Sequence, residues 1–476
     1  MSSESEVKQQ KRVGGRPAST GIIEGSYALS VGMPSKQQPI EGWKWTPLSS
    51  IARLESGHTP SRKYAEYWGG DVPWLGIRDA TGNHGLTINK TLQYTNALGI
   101  ANSSARILPK HTVCLSRTAS VGYVVVMGCP MATSQDFVNW VCSPKLDYRY
   151  LKYILFAEHE SMLRFASGTT HQTIYFPEAK AFHVLIPGIE EQRRIADFLQ
   201  SLDERITLLR ETNTTLEAIT QALFKSWFVD FDPVRANAEG LESAGVHQAT
   251  AALFPDSFEE SELGLIPKGW ATRPIYGMAT YINGAAYKAF EPNSDYRGLP
   301  IIKIAELKAG VTSKTAFSDK AMPEKYLIKT GDILFSWSGN PDTSIGTFVW
   351  GHATALLNQH IFRVLPHASS QRSFILQALR YLNPVFAELA RNKQTTGLGH
   401  VTVADLKRLK VVSPPESVIE KFNDSAEPIH QMIFGNEQQA QTLTQIRDTL
   451  LPRLISGQLR LADAEGNVKN VLSEAI

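Results

Sequence analysis

The sequence predicts an α+β fold: two mixed α/β units separated by two long helices that pair as a coiled coil, giving a pseudo-two-fold internal repeat. Three observations carry this expectation. The stretch from Glu190 to about Phe228 lacks Pro and Gly and places Ile195, Leu202, Leu209, Leu216 and Leu223 seven residues apart. A second row holds Leu199, Ile206, Asn213, Thr220 and Trp227. Two such rows over about four heptads belong to a helix with a helical partner. The pattern then returns from Glu416 to about Leu454, as Phe422, Ile429, Asn436, Leu443 and Leu450 with Ala426, Ile433, Ala440 and Leu454 beside them. Phe422 follows Ile195 by 227 residues, and so does Leu450 follow Leu223. Finally, each helix is preceded by short apolar runs broken by Gly, Pro and Asn, the pattern of short strands.

Composition bounds the class. With 476 residues the chain has room for two or three domains. A hydrophobic content of 42% and a charged content of 20% fit a globular protein. Three cysteines, Cys114, Cys129 and Cys142, form no CxxC pair, which favours a reducing, cytoplasmic setting without a disulfide framework. The first residues, MSSESEVKQQKRVGG, lack the apolar core of a signal peptide. The most apolar stretch, Val121–Ala132, is too short to span a bilayer.

Residues 1–38 are rich in Gly, Ser, Pro and Lys and read as an N-terminal arm, in which Lys11, Arg12 and Arg16 could touch phosphates. Residues 39–187 form the first unit, with strands expected at Val72–Ile77, Thr112–Ser116 and Val121–Gly128 and a helix at Tyr148–Phe165. The central long helix occupies 188–231. An acidic linker follows at 232–267, with six acidic residues and no Lys or Arg between Ala236 and Pro267. The second unit covers 268–413, and the second long helix with a tail covers 414–476. The units match piece by piece: Glu41–Trp43 with Lys268–Trp270, Val72–Ala80 with Leu299–Leu307, Thr112–Ser116 with Gly331–Ser336. Ser120–Val126 pairs with Ser344–Trp350, Ser134–Val138 with Asn358–Phe362, and Ser167–Ile174 with Thr396–Val403.

No catalytic pattern is present. G-x-S-x-G, HExxH, GxxxxGK[ST] and paired-Cys metal sites are all missing. Leu382–Phe386 (LNPVF) lacks the second proline of an N-P-P-[FY] methyltransferase box, and Gly397-Leu398-Gly399 lacks the third glycine of a dinucleotide fingerprint. The expectation is no catalytic residue and no metal in this chain. Basic residues do concentrate: seven between Arg62 and Arg117 against three acids, and seven between Arg273 and Lys320 against four. Duplex DNA is held through Lys and Arg on phosphates and read by Arg, Asn and Gln in the major groove. Each cluster also carries polar loop residues suited to base edges, among them Asn83, His84 and Asn283. Candidate DNA contacts are Arg62, Lys63, Arg78 and Arg117 in the first unit, and Lys288, Lys303, Trp337 and Lys393 in the second. The loops 167–172 and 394–400 add His171, Gln172, Gln394 and His400. A solvated charged face is the plain alternative; duplication of the basic unit is what favours a two-part DNA site. Tyr64, Trp68 and Trp74 read as core or rim aromatics.

Several segments carry a family resemblance. PGIEEQRRIADFLQSLDERI at Pro187–Ile206, ALFKSWFVDFDPV at Ala222–Val234, LLPRLISGQLRL at Leu450–Leu461 and SGHTPSRKYAEYWGGDVPWLGIRD at Ser56–Asp79 resemble the specificity (S) subunit of type I restriction-modification systems. The second half departs, with PPESVIEKF at Pro414–Phe422 and INGAAYK at Ile282–Lys288. The resemblance implies two target recognition domains joined by two helices packed as an antiparallel coiled coil, bound to double-stranded DNA. It also implies two methyltransferase (M) subunits on that frame and restriction (R) subunits in the full complex. Catalysis, S-adenosylmethionine and ATP/Mg would belong to those partners. A modification-only complex, or a scaffold binding protein or glycan, are the alternatives.

Helical register gives one further expectation. With the helices antiparallel and Ile195 opposite Leu454, Leu199 faces Leu450, Ile206 faces Leu443, Leu216 faces Ile433 and Trp227 faces Phe422. The same rule sets Asn213 opposite Asn436, two amides that break the apolar rows. A paired Asn is a device for fixing coiled-coil register.

Overall fold

The computed structural model describes residues 23, 25–34, 39–166, 172–242, 245–394 and 397–466. His171 therefore lies outside the described residues. Two compact units emerge: Met1–Arg205 with Thr442–Ile476, and Ile206–Gln441. The division falls within both long helices, Ile189–Phe228 and Glu416–Ile455, each of 40 residues. Both begin and end within a residue of the span that the heptads predict. The second runs on through Pro428 and Gly435. Pro428 has no N–H to give the Asp424 carbonyl, yet Ala426 and Ile433 on either side are buried, so packing holds the turn.

In the first unit a five-stranded sheet runs in the order Ala52–Ser56, Phe137–Cys142, Val113–Ser116, Val124–Met127, Thr87–Ile88. The alternate residues Val113, Leu115, Val124, Val126, Val138 and Trp140 pack into one core with Ile195, Leu199, Leu450 and Leu454 of the helices. A smaller cluster on the other face holds Cys114, Val125, Met127 and Phe137. Sheet alternation thus splits one strand set between two cores.

Two expectations for this unit are corrected. The segment read as an arm contributes a strand: Leu29–Val31 pairs antiparallel with Phe182–Ile186, which pairs in turn with Lys44–Pro47. Ile23, Ala28, Leu29 and Val31 are buried, and the N–H groups of Tyr27 and Ala28 both donate to Glu158 Oε1 at 2.7 Å. The helix expected at Tyr148–Phe165 is two helices, Tyr148–Ala157 and His159–Phe165, broken at that same Glu158. Burial raises the Glu158 carboxyl, and the two amides oppose that shift.

In the second unit a four-stranded sheet runs Ala279–Asn283, Ile361–Pro366, Ile333–Ser336, Gly346–Val349, the same order as the first unit without the edge strand. A smaller sheet has Leu299–Ile302 parallel to Ala355–Leu357, as Trp68–Leu75 is parallel to Ala132–Thr133 in the first unit. The stretch 232–267, expected as a linker, is folded. It forms a helix at Asp232–Glu239 and a hairpin of Phe258–Ser261 with Gly264–Pro267. Val234, Phe254 and Ile266 enter the core around Trp227, Trp270, Phe374 and Phe422. Its acidic Glu262 meets Lys410 and Thr272. Three apolar anchors outweigh the charge in deciding where this segment lies.

Within this unit the helices run antiparallel: Trp227 and Phe422 rings are 5.8 Å apart, and Asn213 meets Asn436. Asn436 Nδ2 donates to Asn213 Oδ1 at 2.9 Å, and Asn213 Nδ2 donates to the Ile433 carbonyl at 2.9 Å. Both amides are half-buried. Among the described residues no helix is long and apolar enough to cross a membrane.

Candidate nucleic-acid interface

Each unit repeats one backbone arrangement at the end of its central strands. A glycine just after the first sheet strand, Gly57 or Gly284, passes flat against the loop before the adjacent strand. A Cβ on Gly57 would lie 1.9 Å from the Ser134 carbonyl oxygen; one on Gly284 would lie 2.2 Å from those of Leu357 and Asn358. Only glycine fits such an approach. The next amide then donates across: His58 N to Thr133 O at 2.9 Å, Ala285 N to Leu357 O at 2.9 Å. From the central strand, Arg117 N donates to Asp136 O at 2.8 Å, and Trp337 N to His360 O at 3.3 Å. The carbonyls of Arg117 and Trp337 accept from Ile174 N and Val401 N, both at 2.8 Å. Arg117 and Trp337 are therefore equivalent, as are Asp136 and His360, and Ile174 and Val401.

The last pair corrects the sequence match of Ser167–Ile174 with Thr396–Val403. Ile174 corresponds to Val401, not Val403. Both are fully buried, and the burial of these two side chains, rather than the shared Gly and His, fixes the frame. A second shared device is a buried acid: Asp79 Oδ2 accepts from Gly76 N at 2.9 Å, and Glu306 Oε2 from Lys303 N at 3.0 Å. Each carboxylate closes the first turn of a short helix, which fixes the loop bearing Arg78 or Lys303.

On this frame the expected residues divide. Arg62 is exposed, stacks over the Trp68 ring at 3.9 Å and donates to Gln93 Oε1 at 2.8 Å, so the guanidinium is held by a face and an edge. Lys63, Arg78 and Lys288 are exposed. Arg117 is half-buried, its Nε donating to the Gln135 carbonyl at 3.2 Å. Lys303 Nζ lies 5.2 Å from the Tyr287 ring centroid. Gln172 and Gln394 are exposed; Gln172 Nε2 reaches the Leu163 carbonyl at 3.4 Å. Trp337 and His400 come together, ring centroids 5.9 Å apart. Lys393 differs from the others: its ammonium is paired with the buried carboxylate of Asp405, which also caps the helix Val403–Arg408 through Thr402. That charge is neutralised within the chain, so Lys393 is withdrawn from the residues free to meet a phosphate.

Two loop residues read as base-edge candidates turn inward. Asn83 Nδ2 donates to the Asp79 carbonyl at 2.8 Å, and His84 Nδ1 accepts from Val124 N at 3.0 Å. Burial, and then the nearby His159, lower His84 to about 4, so its ring is neutral. The residues that the sequence reading passed over are Gln359 and His360, beside Trp337, and their equivalents Gln135 and Asp136. The signal was available: SQDFV and NQHIF align in the two units.

The family model for the type I restriction modification DNA specificity domain matches this chain twice, at residues 40–218 and 267–447. The chain belongs to that family. The two matches coincide with the two repeats derived above. A specificity subunit of the type I restriction enzyme MjaIX from Methanocaldococcus jannaschii is 26% identical over 427 residues, covering 88% of this chain and 94% of the relative. The HindI specificity subunit from Haemophilus influenzae is 25% identical and covers 63% of this chain and 74% of its own length. Among solved structures, the S subunit of a type I restriction-modification system from M. genitalium superposes with a TM-score of 0.54 at 17% identity, covering 88% of this chain and 97% of that one. That likeness supports the fold. The chain is thus a type I restriction-modification specificity subunit built from two DNA specificity domains.

Proposed function

We propose that this specificity subunit reads a two-part, asymmetric site on double-stranded DNA, one recognition domain per half-site, and performs no chemistry itself. The observation that carries the reading is a repeated backbone bearing unlike side chains. The same hydrogen bonds hold Arg117 in one domain and Trp337 in the other. Loop and strand-end positions on a common scaffold are where binding specificity is varied. Equal backbones favour equal docking on the duplex; unequal side chains favour unequal half-sites. Exposed Lys63, Arg78 and Lys288, with Arg62 on its tryptophan, would supply the salt-dependent phosphate contacts.

Methyltransferase and restriction subunits would then assemble on the helices and the segments beside them, bringing S-adenosylmethionine and ATP/Mg. Exposed Arg193, Arg194, Glu204, Arg210 and Glu211 offer polar docking positions on the first helix. The test is to assemble this chain with a partner methyltransferase and map the methylated sites. A gapped site with two unlike halves is expected. Exchange of Gly42–Leu185 for another recognition domain should replace one half and preserve assembly. A continuous or palindromic site, or loss of methyltransferase binding in a folded chimera, would refute the reading.

A further inference from the structure

Gln359 and His360 belong to a compact polar cluster in the second domain, and Gln135 and Asp136 hold the same places in the first. In the second domain Trp337 Nε1 donates to Asn283 Oδ1 at 3.1 Å, and its ring lies 5.4 Å from that of His360 and 5.9 Å from that of His400. The His360 Nε2 atom and the Gln359 amide are 3.3 Å apart. Both imidazoles bury Nδ1 without a partner, while both residues remain half-exposed. Nε2 is therefore the ring nitrogen through which His360 makes its polar contact, with the Gln359 amide. In the first domain Gln135 is exposed and its amide oxygen accepts from Thr59 Oγ1, while Asp136 Oδ2 accepts from Ser134 Oγ at 2.9 Å.

Three features mark these as reading positions rather than ordinary turn residues. The backbone around them is over-determined: the flat glycine, the crossing amide and the two strand-end hydrogen bonds recur in both domains. Their side chains are neither core nor freely solvated, but held by neighbours at a partly open surface. One position keeps its residue, Gln135 and Gln359, while the next changes from an acceptor, Asp136, to an imidazole, His360. A glutamine amide presents one donor and one acceptor, the complement of adenine N7 and N6 in the major groove. A carboxylate accepts only, which suits the amino group of cytosine; an imidazole edge does not share that preference.

Resting on the two-half-site reading above, we propose that Gln135 and Gln359 each read an adenine at matching places in the two half-sites, and that Asp136 and His360 set the unlike neighbouring base. Trp337, held by Asn283, would position His360; Arg117 takes that place in the first domain.

The experiment uses the full chain assembled with its methyltransferase, comparing the native sequence with Gln359→Ala, Gln359→Glu and His360→Asp over a library of duplex sites. Melting temperature and non-specific duplex binding are measured alongside. For Gln359→Ala, discrimination at one A·T pair of one half-site should fall about 10-fold or more, the other half-site staying unchanged. His360→Asp should shift the neighbouring base pair towards the preference at the corresponding place in the first half-site. The nearly isosteric Gln359→Glu should also lose the adenine preference, which separates readout from packing. Unchanged motifs in folded variants, or a uniform loss over all sequences, would overturn this assignment. Such results would leave the two-part reading intact, because that reading is tested by the site of the native complex and by the domain exchange, not by these variants.

Discussion

The Asn213–Asn436 pair allows a quantitative test of how the helices hold register. Asn213→Leu removes two hydrogen bonds, one accepted from Asn436 Nδ2 and one donated to the Ile433 carbonyl, each 2.9 Å long. A net intramolecular hydrogen bond contributes about 1 kcal/mol, and stranding a buried partner costs about 1–3 kcal/mol. Both amides are half-buried, so water can reach part of the stranded group and the lower end of these ranges applies. The new leucine returns roughly 1 kcal/mol of apolar burial at such a site. The single variant should therefore lose about 1 kcal/mol locally. In the double variant Asn213→Leu with Asn436→Leu no amide is stranded and the leucines face each other, so stability should return to about the native level. The coupling energy from the cycle should be about 1–2 kcal/mol. Because the chain has two compact units, a single global unfolding free energy is not well defined. Hydrogen exchange of amides in Glu211–Thr220 and Ile433–Ala440 is the suitable assay. Additive effects, agreeing within about 0.5 kcal/mol, would refute the pairing. If the pair also fixes register for DNA reading, the double variant in the assembled complex should methylate sites with a less uniform gap.

Asp203→Ala should cost about 3–5 kcal/mol in the first unit, read by thermal unfolding. It removes the carboxylate that meets Tyr153 Oη at 2.7 Å, Lys152 Nζ at 3.3 Å and Arg447 Nη1 at 2.8 Å, stranding the buried Lys152 while Arg447 keeps Asp448. Gly57→Ala should abolish recognition of one half-site and destabilise the first unit by at least about 2 kcal/mol, because the Ser134 carbonyl cannot retreat without breaking the bond from its own N–H to Leu75 O; native-level activity in the alanine variant would contradict the close approach. Acidification should soften both units as pH falls from about 6.5 towards 4. Burial lowers His84 to about 4 and also lowers His430, so both stay neutral when folded while their unfolded forms take up a proton. Below about pH 4.5 Glu427 adds to the loss: burial raises it, but His430, Ser373 and Arg372 pull it down to about 2. Melting temperature against pH checks both steps, and His84→Phe should flatten the upper one in the first unit.

The parts legible in the sequence were those set by period. Ile195 to Leu223 and Phe422 to Leu450 give helix ends within a residue, because each apolar position must meet a partner at helical spacing. The Asn213–Asn436 contact followed from the same register arithmetic. Leu29–Val31 was not legible: three residues carry too little alternation, and their strand exists because Phe182–Ile186 offers an edge and Glu158 offers an acceptor about 130 residues away. The ion pair of Lys393 with Asp405 was likewise hidden, since nothing in the spacing of twelve residues shows that the helix Val403–Arg408 begins at Thr402 and turns its first-turn acid towards that loop. The residues of the proposed interface were only partly marked by composition. Charge excess pointed to Arg62, Arg78 and Lys288, but it passes over Gln135 and Gln359, which are neutral; the match of SQDFV with NQHIF aligns them, and the backbone hydrogen bonds place them beside Arg117 and Trp337.

The same alignment separates what the repeat must keep from what it is free to change. Asp203 on the first helix and His430 on the second stand 227 residues apart, the offset of the whole helical frame. Tyr153 and Gln377, on the helices Tyr148–Ala157 and Arg372–Tyr381, are their partners in the two domains. Tyr153 Oη donates to Asp203, while the Gln377 amide meets His430 Nε2 at 2.8 Å and donates to Thr220 Oγ1 at 2.9 Å. The first lock adds Lys152 and Arg447 to the carboxylate; the second adds Ser373, whose Oγ lies 3.0 Å from His430 Nδ1 and 2.7 Å from Glu427, itself paired with Arg372. In both, a polar side chain of the long helix is buried against the domain helix, and a buried polar group without a partner is costly whatever its charge. Physical chemistry demands a satisfied pair there but does not specify which pair. The same freedom appears at Arg117 and Trp337, where unlike side chains stand on the same backbone hydrogen bonds. On the proposed reading, substitution at such held positions is how a recognition domain would change its target, while the lock within each unit stays satisfied.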